Sequence, residues 1–344
     1  MIKKIFNFFK LSNHKVIDIG TKNQSISYHN NHIIDLDKNW ILKEQKAKLI
    51  SYLGNDKIKE NEYYPVIETW TMQNNYTFTI NNYFRETQSK KIKEQKNKKI
   101  ISKEEKVYLL PYYTSHFGHF VGDILGSILF YIEKFKNTDR KILITCPSIK
   151  WKNFFENKFK DQIFLINPSD LVKNNYLFNN AIILPRMSTF QNLQIARNFF
   201  LSSFDKGNYE EKIFLTSNRK SRISNIDELS SKLKENGFKI INPSKIEIVD
   251  LINIIRNCKI LICEKASVMN NLLFARDKTF YLLCSKTEKN LKIEYFVGAG
   301  IYKTFLSGII KEIYCDDDPI NQNEKPYKKR IRVNSDNLIK NLIK

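Results

Sequence analysis

From Val107 onward the chain alternates short, continuous apolar runs with longer segments of helical period, and this alternation constrains its fold more than any other feature. The runs VYLL, KILIT, QIFLI and AIILP are separated by helical stretches that include Phe117 to Phe135 and Phe190 to Phe204. A second set, KIFLT at Lys212, FKII at Phe238, KILI at Lys259 and TFYLL at Thr279, is separated by helical stretches beginning near Asn225, Lys245 and Ala266. Strands alternating with helices in this way build a parallel α/β sheet, so the pattern predicts two Rossmann-like halves in succession.

At roughly 150 residues per domain, 344 residues make about two domains. A hydrophobic fraction of 42%, with only 10 Gly and 8 Pro, fills real cores and excludes a disordered or fibrous chain. The expected organisation has three parts. Residues 1–106 form an N-terminal elaboration with β-like runs such as KVIDIG and YTFTINNYF. It closes on the polar stretch Glu86 to Lys106, which reads as a solvated loop or an exposed helix. Residues 107–208 form the first Rossmann-like domain and residues 209–344 the second, with a hinge around Lys206 to Glu211. The second ends in a helix over SDNLIKNLIK, with Ser335 as its expected cap.

The formal charge is 57 − 36 = +21 and the pI about 9.5, values that attract nucleic acid, anionic lipid or an acidic small molecule such as a sugar nucleotide. The lysines are scattered rather than clustered and no nucleic-acid-binding module is visible, so no specific nucleic-acid partner is expected. The opening MIKKIFNFFKL interleaves Lys3, Lys4 and Lys10 with Ile5, Phe6, Phe8, Phe9 and Leu11. It reads either as a segment dipping into an anionic membrane surface or as a terminal helix packed on the core. No stretch approaches the roughly 18 to 20 apolar residues of a membrane span, and no signal peptide is evident. A cytoplasmic protein, soluble or peripheral at the inner face of the membrane, is the expectation. Cys146, Cys258, Cys263, Cys284 and Cys315 form no CxxC pair and mostly lie in apolar runs, which points to buried thiols in a reducing compartment and no structural zinc. Neither GxGxxG nor GxxxxGK[ST] is present.

Three constellations could carry chemistry. SHFGHFVGD, Ser115 to Asp123, follows the strand-like VYLLP, so its polar groups fall at the carboxyl end of a strand, where open α/β sheets place ligands. On a helix beginning near Phe117, His119 and Asp123 share a face, so the carboxylate could orient the imidazole or take a proton itself. His116 with His119 and Asp123 makes no metal motif without further ligands. The second constellation places Arg219, Lys220 and Arg222 between a strand end and a helix that Ser224 or Asn225 could cap, an arrangement suited to a diphosphate. The third is KILICEKASVMNNLLFARD, in which Glu264 and Lys265 follow a buried strand, and Ala266 and Ser267 open an apolar helix. Glu264 could be a ribose-hydroxyl acceptor, a general base or a solvated carboxylate. Asn270 and Asn271 could be polar ligands or helix-face residues.

Taken in order, these constellations resemble glycosyltransferase family 61, whose bacterial members include capsular and surface polysaccharide transferases. The resemblance runs from Val107 to the end. It is strongest from Ile213 to Phe274, where a strand and an Arg-containing turn precede Arg222, Asn225, the GF at Gly237 and Phe238, Pro243, and NLLF from Asn271. His119 and Asp123 match a similar His…Asp stretch, and VNSDNLIKNLI is similar to the family's terminal segment. Many members carry a His-Gly-Ala-Gly turn where this chain has Lys265, Ala266, Ser267 and Val268.

The resemblance implies a GT-B architecture, two Rossmann-like domains facing a cleft. It implies inverting, metal-independent transfer from a nucleotide sugar to a glycan or lipid-linked glycan acceptor, with no cofactor beyond that donor. On this basis Arg219, Arg222, Asn225, Lys265, Ala266, Ser267 and Asn271 are expected to bind the donor, and His119, Asp123 or Glu264 to supply the base. The alternatives are a basic membrane-associated or nucleic-acid-binding protein, suggested by the charge, and a catalytically degenerate nucleotide-sugar-binding protein, suggested by the altered turn at Lys265.

Overall fold

The computed structural model describes residues 44–53, 63–71, 74–78, 99–110, 117–167, 170, 174–184, 187, 189–203, 211–216, 222–275, 279–287, 310–319 and 330–343. The amphipathic opening, the run KVIDIG, the hinge as far as Glu210, Ser115, His116, Arg219 and Lys220 lie outside them. The chain divides into two compact units at Ala196/Arg197, earlier than the expected hinge.

In the first unit the strands are β1 (Glu44–Leu53), β2 (Tyr63–Thr71), β3 (Asn74–Phe78), β4 (Lys99–Lys103), β5 (Val107–Leu109), β6 (Lys141–Ile144), β7 (Ile163–Leu165) and β8 (Asn174–Ile183). Helix α1 (Phe117–His119) runs through a π turn (Phe120–Ile124) into α2 (Leu125–Lys134); α3 (Ile149–Phe159) and α4 (Thr189–Ser203) follow, and the division between units falls inside α4. The strand order is β3-β2-β1-β8-β5-β6-β7. Within it β8, β5, β6 and β7 are parallel, and the order reverses at β5, which has β6 on one side and β8 on the other. This is the order of a Rossmann half.

Two findings differ from the expectation for the N-terminal region. Strands β1 to β3 continue the same sheet, because β1 pairs antiparallel with β8, Leu49 opposite Tyr176, and β2 and β3 add antiparallel beyond it. The end of the polar stretch is also a strand. β4 runs parallel to the first half of β8, from Asn174 to Phe178, while β5 takes its last residues, Ala181 to Ile183. Backbone pairing alone makes β4 a strand: its side chains are largely exposed, so it carries none of the apolar signature on which strand recognition relies.

The second unit contains β9 (Glu211–Leu215), α5 (Ile226–Glu235), β10 (Phe238–Ile241), α6 (Ile248–Arg256), β11 (Cys258–Glu264), a 3-10 helix (Ser267–Phe274), β12 (Thr279–Ser285), β13 (Ile310–Asp317), β14 (Ile331–Arg332) and α7 (Ser335–Ile343). Strand order is β10-β9-β11-β12-β13-β14, all parallel except the antiparallel last pair. The chain therefore starts at β9, steps one way to β10 and returns the other way through β11, a doubly wound arrangement with its reversal between β9 and β11. On one face Phe214, Ile262, Tyr281 and Leu283 pack with Leu229 and Leu233 of α5 and Leu338 and Leu342 of α7. Each such buried side chain contributes about 1.5–3 kcal/mol. Strand alternation turns the equally buried Ile213, Leu215, Leu261 and Cys263 to the other face.

Local signals set the helix ends. α5 carries Asp227 and Glu228 in its first turn and Lys232 and Lys234 in its last, matching the helix dipole, and stops at Gly237, whose φ of 80° suits a residue without Cβ. The cap of α7 is Asn334, whose Oδ1 accepts the Asn337 amide at 2.9 Å; Ser335 instead donates to Glu228, 3.2 Å away.

Two buried arginines donate to carbonyls at helix ends. Arg256 Nη2 donates to the carbonyl of Leu201 at 3.1 Å and Nη1 to that of Phe200, closing the end of α4. Arg197 Nη1 reaches the carbonyls of Leu272, Leu273 and Ala275 at 3.3, 3.4 and 2.6 Å, closing the 3-10 helix. Arg197→Met keeps the packing volume but leaves these carbonyls without that donor, and should lower stability by about 1–3 kcal/mol in urea titrations.

All five cysteines are buried free thiols. Burial pushes Cys315 up to about 11, aided by the Asp316 charge, and raises Cys146 and Cys263 further. Since the thiolate is the reactive form, the native protein at pH 8 should resist a disulfide reagent that titrates five thiols after unfolding.

Candidate active site

The first unit brings one sequence-predicted constellation, and the second unit the other two, to the carboxyl ends of parallel strands. In the first, β5 is followed by α1 and the π turn. The Leu125 amide bonds the carbonyl of Phe120, five residues back, instead of the fourth. All five residues of the turn are buried. Phe120 packs on Trp151 and Phe155 of α3, with ring centroids 5.2 and 6.4 Å away, which anchors the turn from below.

This geometry gives His119 and Asp123 different environments. His119 Nδ1 lies 3.0 Å from Asp123 Oδ2; the imidazole is 41% exposed and the carboxylate 6%. A buried carboxylate on Nδ1 orients the ring, and the imidazole is the more exposed member of the pair. The four-residue spacing was readable in the sequence; the π turn was not, because no residue pattern marks it.

In the second unit the reversal point lies between β9 and β11, and Arg222, Glu264 and Lys265 meet there. The Glu264 carboxylate, at the end of β11 and 1% exposed, accepts the backbone N–H of Arg222 at 2.9 Å through Oε2. Arg222 Nη1 donates in turn to the carbonyl of Lys265 at 2.7 Å. The loop after β9 is thus tied to the end of β11 by a charged acceptor on one side and a charged donor on the other, the stronger class of hydrogen bond. Glu264 is no solvated surface carboxylate; its burial is compensated by the amide it binds.

Lys265 is also buried, 5% exposed at the side chain, with Nζ 4.0 Å from Glu312 Oε1 of β13. The Tyr314 hydroxyl donates to the other oxygen of Glu312 at 2.5 Å. Sequence reasoning missed Glu312 and Tyr314, since both lie in β13, whose mixed burial gives it no apolar run. Ala266 precedes the 3-10 helix that begins at Ser267. Asn270 and Asn271 donate to the carbonyls three residues back, Ser267 and Val268, at 3.0 and 2.7 Å. Asn271 Oδ1 is buried with no hydrogen-bond partner among the described residues.

Asn225 occupies the N-cap position of α5, but its side chain bonds no amide of the helix. Its carboxamide pairs with Val333 in both directions: Nδ2 donates to the carbonyl at 2.8 Å and Oδ1 accepts the amide at 3.0 Å. Together with the Ile331 amide donating to the carbonyl of Arg222, this ties the Arg222 loop to β14. Asn225→Ala should raise the hydrogen-exchange rate of the Val333 amide and cost about 0.5–3 kcal/mol, the range for lost hydrogen bonds that leave buried groups unpaired.

Among the described residues no cluster of three or more His, Cys, Asp or Glu side chains is arranged to hold a metal, and no helix is long and apolar enough to cross a membrane. No curated protein matches the chain. Among solved structures it is similar to the dodecameric iron-containing heptosyltransferase TibC in complex with ADP-D-beta-D-heptose, at 10% identity and a TM-score of 0.29, over 70% of this chain and 74% of that one. Residues 117–282 match the family described as Glycosyltransferase 61, a span that opens at the helix bearing His119 and Asp123 and closes in β12, past Arg222, Glu264 and Lys265. That match supports assignment of the chain to glycosyltransferase family 61 over the region that carries these residues.

Proposed function

We propose that this glycosyltransferase moves a sugar, with inversion, from a nucleotide-sugar donor to a glycan or lipid-linked glycan acceptor. In this reading the two units are the Rossmann-like domains of a GT-B enzyme and face a cleft. The observation that carries the donor assignment is the meeting of Arg222, Glu264 and Lys265 at the carboxyl ends of β9 and β11, where the strand order reverses. Ligands of open α/β sheets bind at such points.

Arg222 and Arg219 neutralise the charge that grows on the departing diphosphate at the turn formed by Ala266 and Ser267. Glu264 and Asn225 hold the Arg222 loop, and Asn271, buried in the 3-10 helix, is assigned to the donor side with them. Lys265 adds positive charge beside them. In the other unit His119 takes the proton of the acceptor hydroxyl at Nε2 while that oxygen attacks the anomeric carbon. The bond from this carbon to the diphosphate oxygen breaks, and its electron pair leaves with the nucleoside diphosphate. Asp123 orients the imidazole and stabilises the imidazolium that forms. The exposure of the ring and the burial of the carboxylate favour this division of roles. No metal is needed in the scheme. The reaction suits assembly of a surface polysaccharide at the cytoplasmic face of the membrane.

Thermal stabilisation by UDP, GDP and CMP and by their sugars tests the donor site. A nucleotide at about 100 times its Kd adds roughly 2.7 kcal/mol, and Arg222→Ala or Arg219→Ala should remove the shift. Absence of any shift, with steeply salt-sensitive binding to nucleic acid or anionic vesicles, would replace this proposal with the basic binding-protein reading. With the donor identified, His119→Ala should lower kcat by about 10²–10⁴-fold and leave donor affinity intact. Donor binding without turnover in the unaltered protein would mark a degenerate transferase.

A further inference from the structure

We infer that Asn192, on α4, is a positioning residue for the His119–Asp123 pair. The π turn that buries Asp123 is a local defect in the helix, and the chain must restart α2 immediately after it. The first amides of a restarted helix need acceptors, which a regular preceding turn would have supplied. Asn192 supplies one from outside. Its Oδ1 accepts both the backbone N–H and the hydroxyl of Ser127, each at 2.8 Å, and Ser127 is the third residue of α2.

Three further observations make this contact specific. Asn192 is fully buried, so its carboxamide was taken out of water to make these bonds. Its Nδ2 donates to the carbonyl of Met187 at 3.4 Å, which orients the carboxamide with its oxygen toward Ser127. The two backbones also touch: a Cβ at Gly126 would stand 2.0 Å from the carbonyl oxygen of Asn192, so glycine at 126 is what allows α4 to come this close. The π turn is thereby clamped between Trp151 and Phe155 under Phe120 and Asn192 at the restart. Release of the upper clamp frees the turn to change its winding, which shifts the Asp123 carboxylate relative to the imidazole of His119.

The inference rests on the proposed role of His119 in transfer, and its test separates the two. In protein with 15N-labelled histidine, the ring signals of His119, assigned by their loss in His119→Ala, should change in Asp123→Asn. Asn192→Leu, of similar size but without acceptor or donor, should produce the same change. Ser127→Ala, which removes one of the two donors and disturbs packing least, should shift the signals part of the way. A wild-type His119 spectrum in folded Asn192→Leu, or in Ser127→Ala should Asn192→Leu fail to fold, overturns the inference. In turnover, Asn192→Leu should lower kcat by about 100-fold at unchanged donor KM, the scale expected for misplacing a catalytic group by about 1 Å. The double variant Asn192→Leu with Asp123→Asn should be no slower than Asp123→Asn alone, whereas a purely structural residue would give additive losses. An altered spectrum with unaltered turnover would leave Asn192 in control of the pair and remove the pair from the transfer mechanism.

Discussion

The second unit depends on a buried cation at the end of an unusual helix. Eight residues, Ser267–Phe274, wind as a 3-10 helix, although such runs seldom exceed three or four residues because their hydrogen bonds are poorly aligned. The sequence supplies two supports. Asn270 and Asn271 each return a side-chain amide to the carbonyl three residues back, the spacing of a 3-10 turn and not of an α turn. Arg197 then closes the far end by donating to three carbonyls. With its end fixed, the helix holds the turn from Glu264 to Ala266 at the carboxyl end of β11, and with it the carbonyl that Arg222 binds.

The parts of the fold legible in the sequence are those in which burial writes a pattern. β5, β6, β9, β11 and β12 carry buried apolar runs, and the edge strands β7 and β10 shorter, half-buried ones. β4, β13 and β14 do not, because a strand held by its backbone ladder at a half-exposed position needs no apolar side chains. The same difference explains the site. His119 and Asp123 were visible from four-residue spacing, and Arg222, Glu264 and Lys265 from their place after strands. What stayed hidden were partners distant in sequence: Asn192 for the π turn, Val333 for Asn225, and Glu312 for Lys265. The helix expected from Ala266 was placed well but wound differently, since apolar periodicity over eight residues cannot separate a 3-10 from an α helix.

The resemblance sets Lys265, Ala266, Ser267 and Val268 of this chain against a His-Gly-Ala-Gly turn in many members of glycosyltransferase family 61. The geometry limits what that departure removes. Arg222 contacts position 265 through the main-chain carbonyl, and the Lys265 amide donates to the carbonyl of Leu283 in the neighbouring strand. Main-chain contacts are indifferent to the side chain, so the hold on Arg222 survives a change of residue here. The lysine side chain brings a new requirement: an ammonium 5% exposed needs a counter-charge, and β13 provides it in Glu312, itself bound by Tyr314. The charge on the turn is thus balanced by residues two strands away. The frame of the turn therefore rests on main-chain contacts and its charge on a side-chain pair, so the two can be altered separately.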